Sequence, residues 1–138
     1  MNASLASLVG FAALTLLPIV IFTAYRGVLV LTGQRRADDW TRGRAVADPG
    51  VIKRIGDAHA NCLEMLPVFA AVILAAEVAG AGEITRALAP WFLLARVGQF
   101  VSHAIAVNHW MVFLVRFPLF LIQVVILFWW LWQLAGLI

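Results

Sequence analysis

Apolar residues gather along the chain into four long runs separated by polar breaks. The first fills Leu5 to Ala24 almost without interruption, and the first charge in the chain is Arg26. The second begins near Ile55 and ends at Gly80, where Gly80-Ala81-Gly82-Glu83 breaks it. The third reaches from about Leu88 to Val107, and the fourth from Val112 to Ile138. About 20 apolar residues cross the hydrocarbon core of a bilayer, so each run reads as a transmembrane helix. The first run is not expected to be a secretory leader, because it lacks a basic n-region and its apolar core is longer than a leader's. The pattern predicts helices over roughly 5–33, 52–80, 88–108 and 112–136. Two of the three connections are short, which makes neighbouring helices antiparallel. The expected fold is therefore all-α and integral to the membrane: one domain, a four-transmembrane-helix antiparallel bundle with a single long connection over 33–51.

Composition agrees with the pattern. Residues of the AVILMFWYC set make up 64% of the 138 positions and charged residues only 12%, with a mean hydropathy of +0.97. Soluble domains carry about 25% charged residues. Half that supply cannot coat a compact globule in water, which excludes a soluble enzyme and a disordered chain. Cys62 is the single cysteine, so no internal disulfide forms and a disulfide-rich module is excluded too.

Charge placement adds an orientation. Residues 26–54 hold seven cations (Arg26, Arg35, Arg36, Arg42, Arg44, Lys53 and Arg54) against Asp38, Asp39 and Asp48, a net of +4. Clustering in one loop, rather than over a face, sets nucleic-acid binding aside. Basic loops stay cytoplasmic. The 33–51 and 107–112 connections are then expected inside, with both termini on the far side. Trp129, Trp130 and Trp132 fit an interfacial aromatic belt there. A multi-pass protein of a bacterial inner membrane is compatible with this pattern.

Ionisable groups within spans are costly and mark functional sites by default. Arg54, Asp57, Asn61 and Glu64 stand at offsets of 0, 3, 7 and 10, one stripe of the second helix. Arg96, Gln99 and His103 repeat the device on the third helix, and Arg116 and Gln123 stand seven apart on the fourth. With the basic loop inside, all three stripes fall at similar depth, which suggests a shared polar cavity.

Several of these residues have a second reading. Arg54 is either a cavity residue or a juxtamembrane cation at the inner interface. Glu64 lies about 15 Å deeper, at 1.5 Å per residue, and either faces a ligand or pairs with Arg96. Asp57 suits an ion pair with Arg54 or Lys53 at the helix start. His59 points about 140° away from the stripe and suits a helix–helix hydrogen bond. Glu77, near the outer end, is expected to be solvated, and Cys62 to be a small packing residue. No residue set has metal-site spacing, and no glycine-rich phosphate loop is present. Arginines with one carboxylate and an asparagine suit a ligand that has several anionic groups and one ammonium. A peptide with free carboxylates and an amino group meets that description: Arg binds carboxylates bidentately and Glu64 suits the ammonium.

From Arg54 to Phe69 the chain reads R-I-G-D-A-H-A-N-C-L-E-M-L-P-V-F. This resembles the R-x-x-x-A-H-x-N-x-x-E pattern of the MAPEG family, the membrane-associated proteins of eicosanoid and glutathione metabolism. Arg54, Ala58, His59, Asn61, Glu64, Pro67 and Phe69 carry the likeness. Leu31-Thr32-Gly33-Gln34-Arg35-Arg36, Ala95-Arg96-Val97 and Arg116 extend it over roughly residues 25–125. The resemblance implies a homotrimer that binds glutathione between protomers near the cytoplasmic side. Arg36, Asn61, Glu64, Arg96 and Arg116 would bind glutathione or shape its pocket, with Arg54 and Gln99 as further contacts. His59 would belong to helix packing.

Ala60 stands where the eicosanoid enzymes have Arg, Gln99 and His103 where they have His and Tyr, and Phe120 where they often have Tyr. The sole tyrosine is Tyr25. These departures argue against a prostaglandin or leukotriene synthase. The leading expectation is a glutathione-dependent transferase or peroxidase acting on hydrophobic electrophiles dissolved in the membrane. A thiol with a pKa near 8.5 is mostly protonated at neutral pH, and adjacent positive charge favours the thiolate. Arg116 is the expected thiolate-stabilising residue, with His103 as helper. The rival reading is a non-catalytic lipid-binding or partner-presenting scaffold, as in the lipoxygenase-activating branch of the family. A small proton-driven transporter ranks below both, because residues 1–25 carry no charge.

Overall fold

The computed structural model describes residues 1–41, 43–44, 46–105 and 108–137. Arg42 and Val107, a loop cation and the end of the third apolar run, lie outside the described residues. Among those described, every regular element is helical. Four long helices account for most of the chain: α1 (Ala3–Leu31), α2 (Gly50–Val78), α3 (Ala89–Ile105) and α4 (His109–Ala135).

Local chemistry sets the ends. Asn2 caps α1 by accepting from the Leu5 N–H at 3.0 Å, and Asn108 caps α4 by accepting from the Met111 N–H at 2.8 Å. Both α1 and α2 stop at a glycine in the left-handed region, Gly33 (φ 71°) and Gly80 (φ 69°). The residue after each glycine donates back five residues: Gln34 to the Leu29 carbonyl and Ala81 to the Ala76 carbonyl. That closure satisfies carbonyls a helix end otherwise leaves open.

Pairs of bonded residues establish antiparallel packing. Asn2 bonds Glu77, His59 bonds Thr15 and Tyr25 bonds Asp48, so α2 runs back along α1. Arg54 with Ala104 and Arg96 with Asn61 reverse α3 on α2. Arg116 with Ser102 and Gln123 with Gln99 reverse α4 on α3. Each long helix contributes one fully buried ring to the centre: Phe11, Phe69, Phe92 and Trp130. Phe69 stacks on Phe92 at 4.3 Å and meets Phe11 edge-on at 5.6 Å. Lipid removes the hydrophobic drive between helices, so such ring packing is a principal source of cohesion.

Three expectations change, for the third span, Trp130 and Glu77. The third run forms, among the described residues, a 17-residue helix, about 26 Å long against a hydrocarbon core of about 30 Å. Among the described residues three helices, α1, α2 and α4, are long and apolar enough to cross a membrane. Residues 83–86 fold as a separate turn ahead of α3. Trp130 is not part of an interfacial belt: it faces inward with Ile126 and Leu127, while Trp129 and Trp132 remain exposed. Glu77 is not simply solvated either, since it accepts from the Asn2 side-chain amide at 2.7 Å. The long connection contains a 3-10 turn, Ala37–Trp40.

Candidate functional site

Three helices meet along an open groove of about 360 Å³. Helix α2 supplies Asn61 and Glu64, α3 supplies Gln99 and His103, and α4 supplies Val112, Arg116, Phe117 and Phe120. The stripes spaced along three separate helices do converge, for these five polar residues. The groove has a polar floor beside an apolar wall of one valine and two phenylalanines.

Arg116 reaches the groove through an irregular turn. Residues Val112–Arg116 are π-helical, and the Phe117 N–H bonds the Val112 carbonyl five residues back. Pro118 has no N–H to offer the Leu114 carbonyl, and its ring crowds the preceding turn, so the helix widens there. Arg116 is buried while Val112 to Val115 and Phe117 stay exposed. Its Nη2 donates to the Ser102 carbonyl at 2.9 Å. The Ser102 hydroxyl donates to the Gln99 carbonyl at 2.7 Å, and Gln123 Nε2 donates to Gln99 Oε1 at 3.0 Å. A hydrogen-bonded line thus fixes the α3 and α4 sides of the groove.

Helix α2 is tied differently. Arg96 is 1% exposed, and its Nη1 donates to the Asn61 side-chain oxygen and to the Asn61 carbonyl. Its guanidinium also lies 5.3 Å from the centre of the Phe11 ring. Arg96 stands behind the groove rather than in its lining, holding Asn61 in place. It forms no ion pair with Glu64 among the described residues. Glu64 is the central residue of the 29-residue helix α2, it is exposed on the isolated chain, and it accepts no hydrogen bond among the described residues.

The other expected site residues lie elsewhere. Arg54 Nε donates to the Ala104 carbonyl at 3.0 Å, which caps the end of α3. Asp57 is exposed and pairs with neither Arg54 nor Lys53. Arg36 is in the 33–51 connection, where its 82% exposed side chain pairs with Asp38 at 2.9 Å. That hydrogen bond holds the Asp38 carboxyl below, and the Arg36 guanidinium above, their ordinary ranges. His59 Nδ1 lies 2.9 Å from the Thr15 carbonyl; a carbonyl only accepts, so this nitrogen carries the proton. This is a helix–helix bond, as the offset of His59 from the stripe suggests. Cys62 is buried among core residues. No cluster of metal-ligating side chains occurs among the described residues.

Sequence reasoning missed Ser102, Phe117 and Pro118. Ser102 acts through its backbone carbonyl, which no side-chain pattern reveals. Pro118, two residues after a buried arginine, was a signal available to read.

The MAPEG family model matches residues 4–136, essentially the whole chain. The corresponding comparisons with curated proteins and with solved structures give no match.

Proposed function

The chain belongs to the MAPEG family, and from that premise we propose that it is a glutathione-dependent transferase or peroxidase acting on hydrophobic electrophiles in the membrane. The observation that carries this reading is the groove, with Arg116, Glu64, Asn61, Gln99 and His103 on one side and Val112, Phe117 and Phe120 on the other. A polar thiol peptide and an apolar electrophile need those two surfaces side by side. Arg116 suits a carboxylate or the thiolate, and Glu64 suits the ammonium group. Transfer forms a carbon–sulfur bond as the leaving group departs with its electron pair and the thiol proton passes to solvent. The cation at Arg116 favours the thiolate before attack, and the groove supplies proximity by holding sulfur beside a lipid-soluble partner.

Glu64 also bears on assembly. A carboxylate at mid-helix, exposed on the isolated chain, is expensive in lipid. Placing that face against a second copy removes the cost, which supports the homotrimer with glutathione bound between protomers. Helix α3 with the 83–88 segment then makes a fourth crossing, and the basic 33–51 connection faces the cytoplasm. Arg36, paired with Asp38, lies in that loop, outside the groove of the isolated chain.

One observation favours the scaffold reading: Phe120 lines the groove, so no phenol hydroxyl is present at that position. Conjugation of glutathione to an aryl halide by the purified protein separates the two. The transferase reading expects turnover that Arg116→Ala abolishes while the oligomer persists. Absence of turnover together with absence of glutathione binding supports the scaffold.

A further inference from the structure

A second groove lies away from the first, where the end of α1 meets the polar connection, and it has a volume of about 500 Å³. We propose that it binds the headgroup phosphate of an anionic phospholipid, with Arg26 as the recognising residue. This proposal does not depend on the glutathione reading.

Arg26 is a loop-side cation that pairs with no carboxylate among the described residues. Arg36 and Arg44 both pair with Asp38, at 2.9 and 3.0 Å. Asp48 Oδ1 is taken by the residues that flank Arg26 rather than by Arg26 itself. It accepts from Trp40 Nε1 at 3.2 Å and from the Tyr25 hydroxyl at 3.3 Å. Arg26 itself makes no hydrogen bond or ion pair among the described residues, and its Nε is buried without a partner. What holds it is aromatic: its guanidinium lies 5.6 Å from the Phe22 ring centre and 5.3 Å from that of Trp40. The two rings fix the planar fork in one orientation and leave its donor capacity unspent, as bidentate recognition of a phosphate requires. Thr23 and Thr41 add hydroxyls to the lining. The Thr41 proton is given to the Asp38 carbonyl, whereas the Thr23 hydroxyl makes no hydrogen bond among the described residues.

Position selects a lipid over a soluble anion. The groove runs along α1 from Thr23 to Val30, and Gly27, Val30 and Ala37 give it an apolar lining. Acyl chains therefore have an apolar surface beside the cation, and the 3-10 turn Ala37–Trp40 closes the polar side. Cations next to a membrane helix attract anionic lipid; here one is also preorganised and unpaired.

The test uses the full chain, delipidated in mild detergent. Phosphatidylglycerol and phosphatidylcholine of identical acyl chains are titrated separately, with retained lipid counted by native mass spectrometry. We expect about tenfold preference for phosphatidylglycerol, equivalent to about 1.4 kcal/mol. Arg26→Gln removes the preference and Arg26→Lys keeps part of it, with helical content unchanged by circular dichroism. If Arg26→Gln does not fold, Thr23→Val, expected to lower the preference severalfold, takes its place. Absence of preference in the wild type overturns the proposal, as does full preference in the variant that folds. Displacement of the lipid by millimolar inorganic phosphate reassigns the site to a soluble anion and overturns it as well.

Discussion

Replacing Asn61 by leucine tests what that residue does. Its position in the groove suggests a ligand contact, but its side-chain oxygen accepts from Arg96 Nη1. Arg96 is 1% exposed, and its Nε and Nη2 are buried without partners. Asn61→Leu leaves this guanidinium with the Asn61 backbone carbonyl, at 3.4 Å, as its remaining acceptor. Two magnitudes compete. Interhelical hydrogen bonds in membrane proteins average about 0.6 kcal/mol, whereas stripping the partner from a buried charge costs about 3–5 kcal/mol. The burial of Arg96 decides for the second, so Asn61→Leu is expected to destabilise by about 3 kcal/mol. Adding Arg96→Met removes the stranded charge and should return about 2 kcal/mol or more of that loss. Unfolding of both variants in mixed micelles, followed by the loss of helical circular dichroism, reads the double-mutant cycle. A single-variant cost near 0.6 kcal/mol, or additive behaviour of the pair, refutes the reasoning.

Phe69→Ala empties a position packed against Phe11, Phe92 and Trp130; it should cost about 3–5 kcal/mol in the same unfolding assay. Pro118→Ala restores the missing N–H and should let the π turn relax towards regular helix. Arg116 would then turn from the groove by up to about 100°, one residue's rotation, and glutathione affinity should fall with little loss of stability. Unchanged affinity would detach Pro118 from the placement of Arg116. Asp38 has a lowered folded pKa, so its contribution to holding the loop is full above the ordinary carboxylate value of about 3.9. It is lost as pH falls through the lower folded value. Acid-tolerant proteolysis should cut within residues 33–49 increasingly below that point, and Asp38→Asn should make cleavage independent of pH.

Helices α1 and α2 were legible because apolar runs and glycine stops are local signals. Gly33 and Gly80 end α1 and α2 within two residues of the expected boundaries. The convergence of Asn61, Glu64, Gln99, His103 and Arg116 was legible too, since offsets of three, four and seven place residues on one face. Partners were not. The Glu64–Arg96 pair was reasonable on charge alone, yet the fold brings Asn61 to Arg96 and leaves Glu64 outward. Trp130 and Trp129 are adjacent and chemically identical, and only the inward face of α4 separates a core ring from an exposed one. Arg54 reads as a motif residue, but its guanidinium serves the end of α3, a carbonyl 50 residues away. The π turn was missed because a single proline inside an apolar helix predicts a kink without saying which side chain it redirects.

Calorimetric titration of glutathione into the purified protein, with Glu64→Ala and Arg116→Ala alongside, tests the central claim most directly. The account predicts binding by the wild type and a loss of about tenfold or more for each variant, equivalent to about 1.4 kcal/mol per lost contact. No binding at millimolar glutathione, or affinity that neither substitution changes, would contradict it.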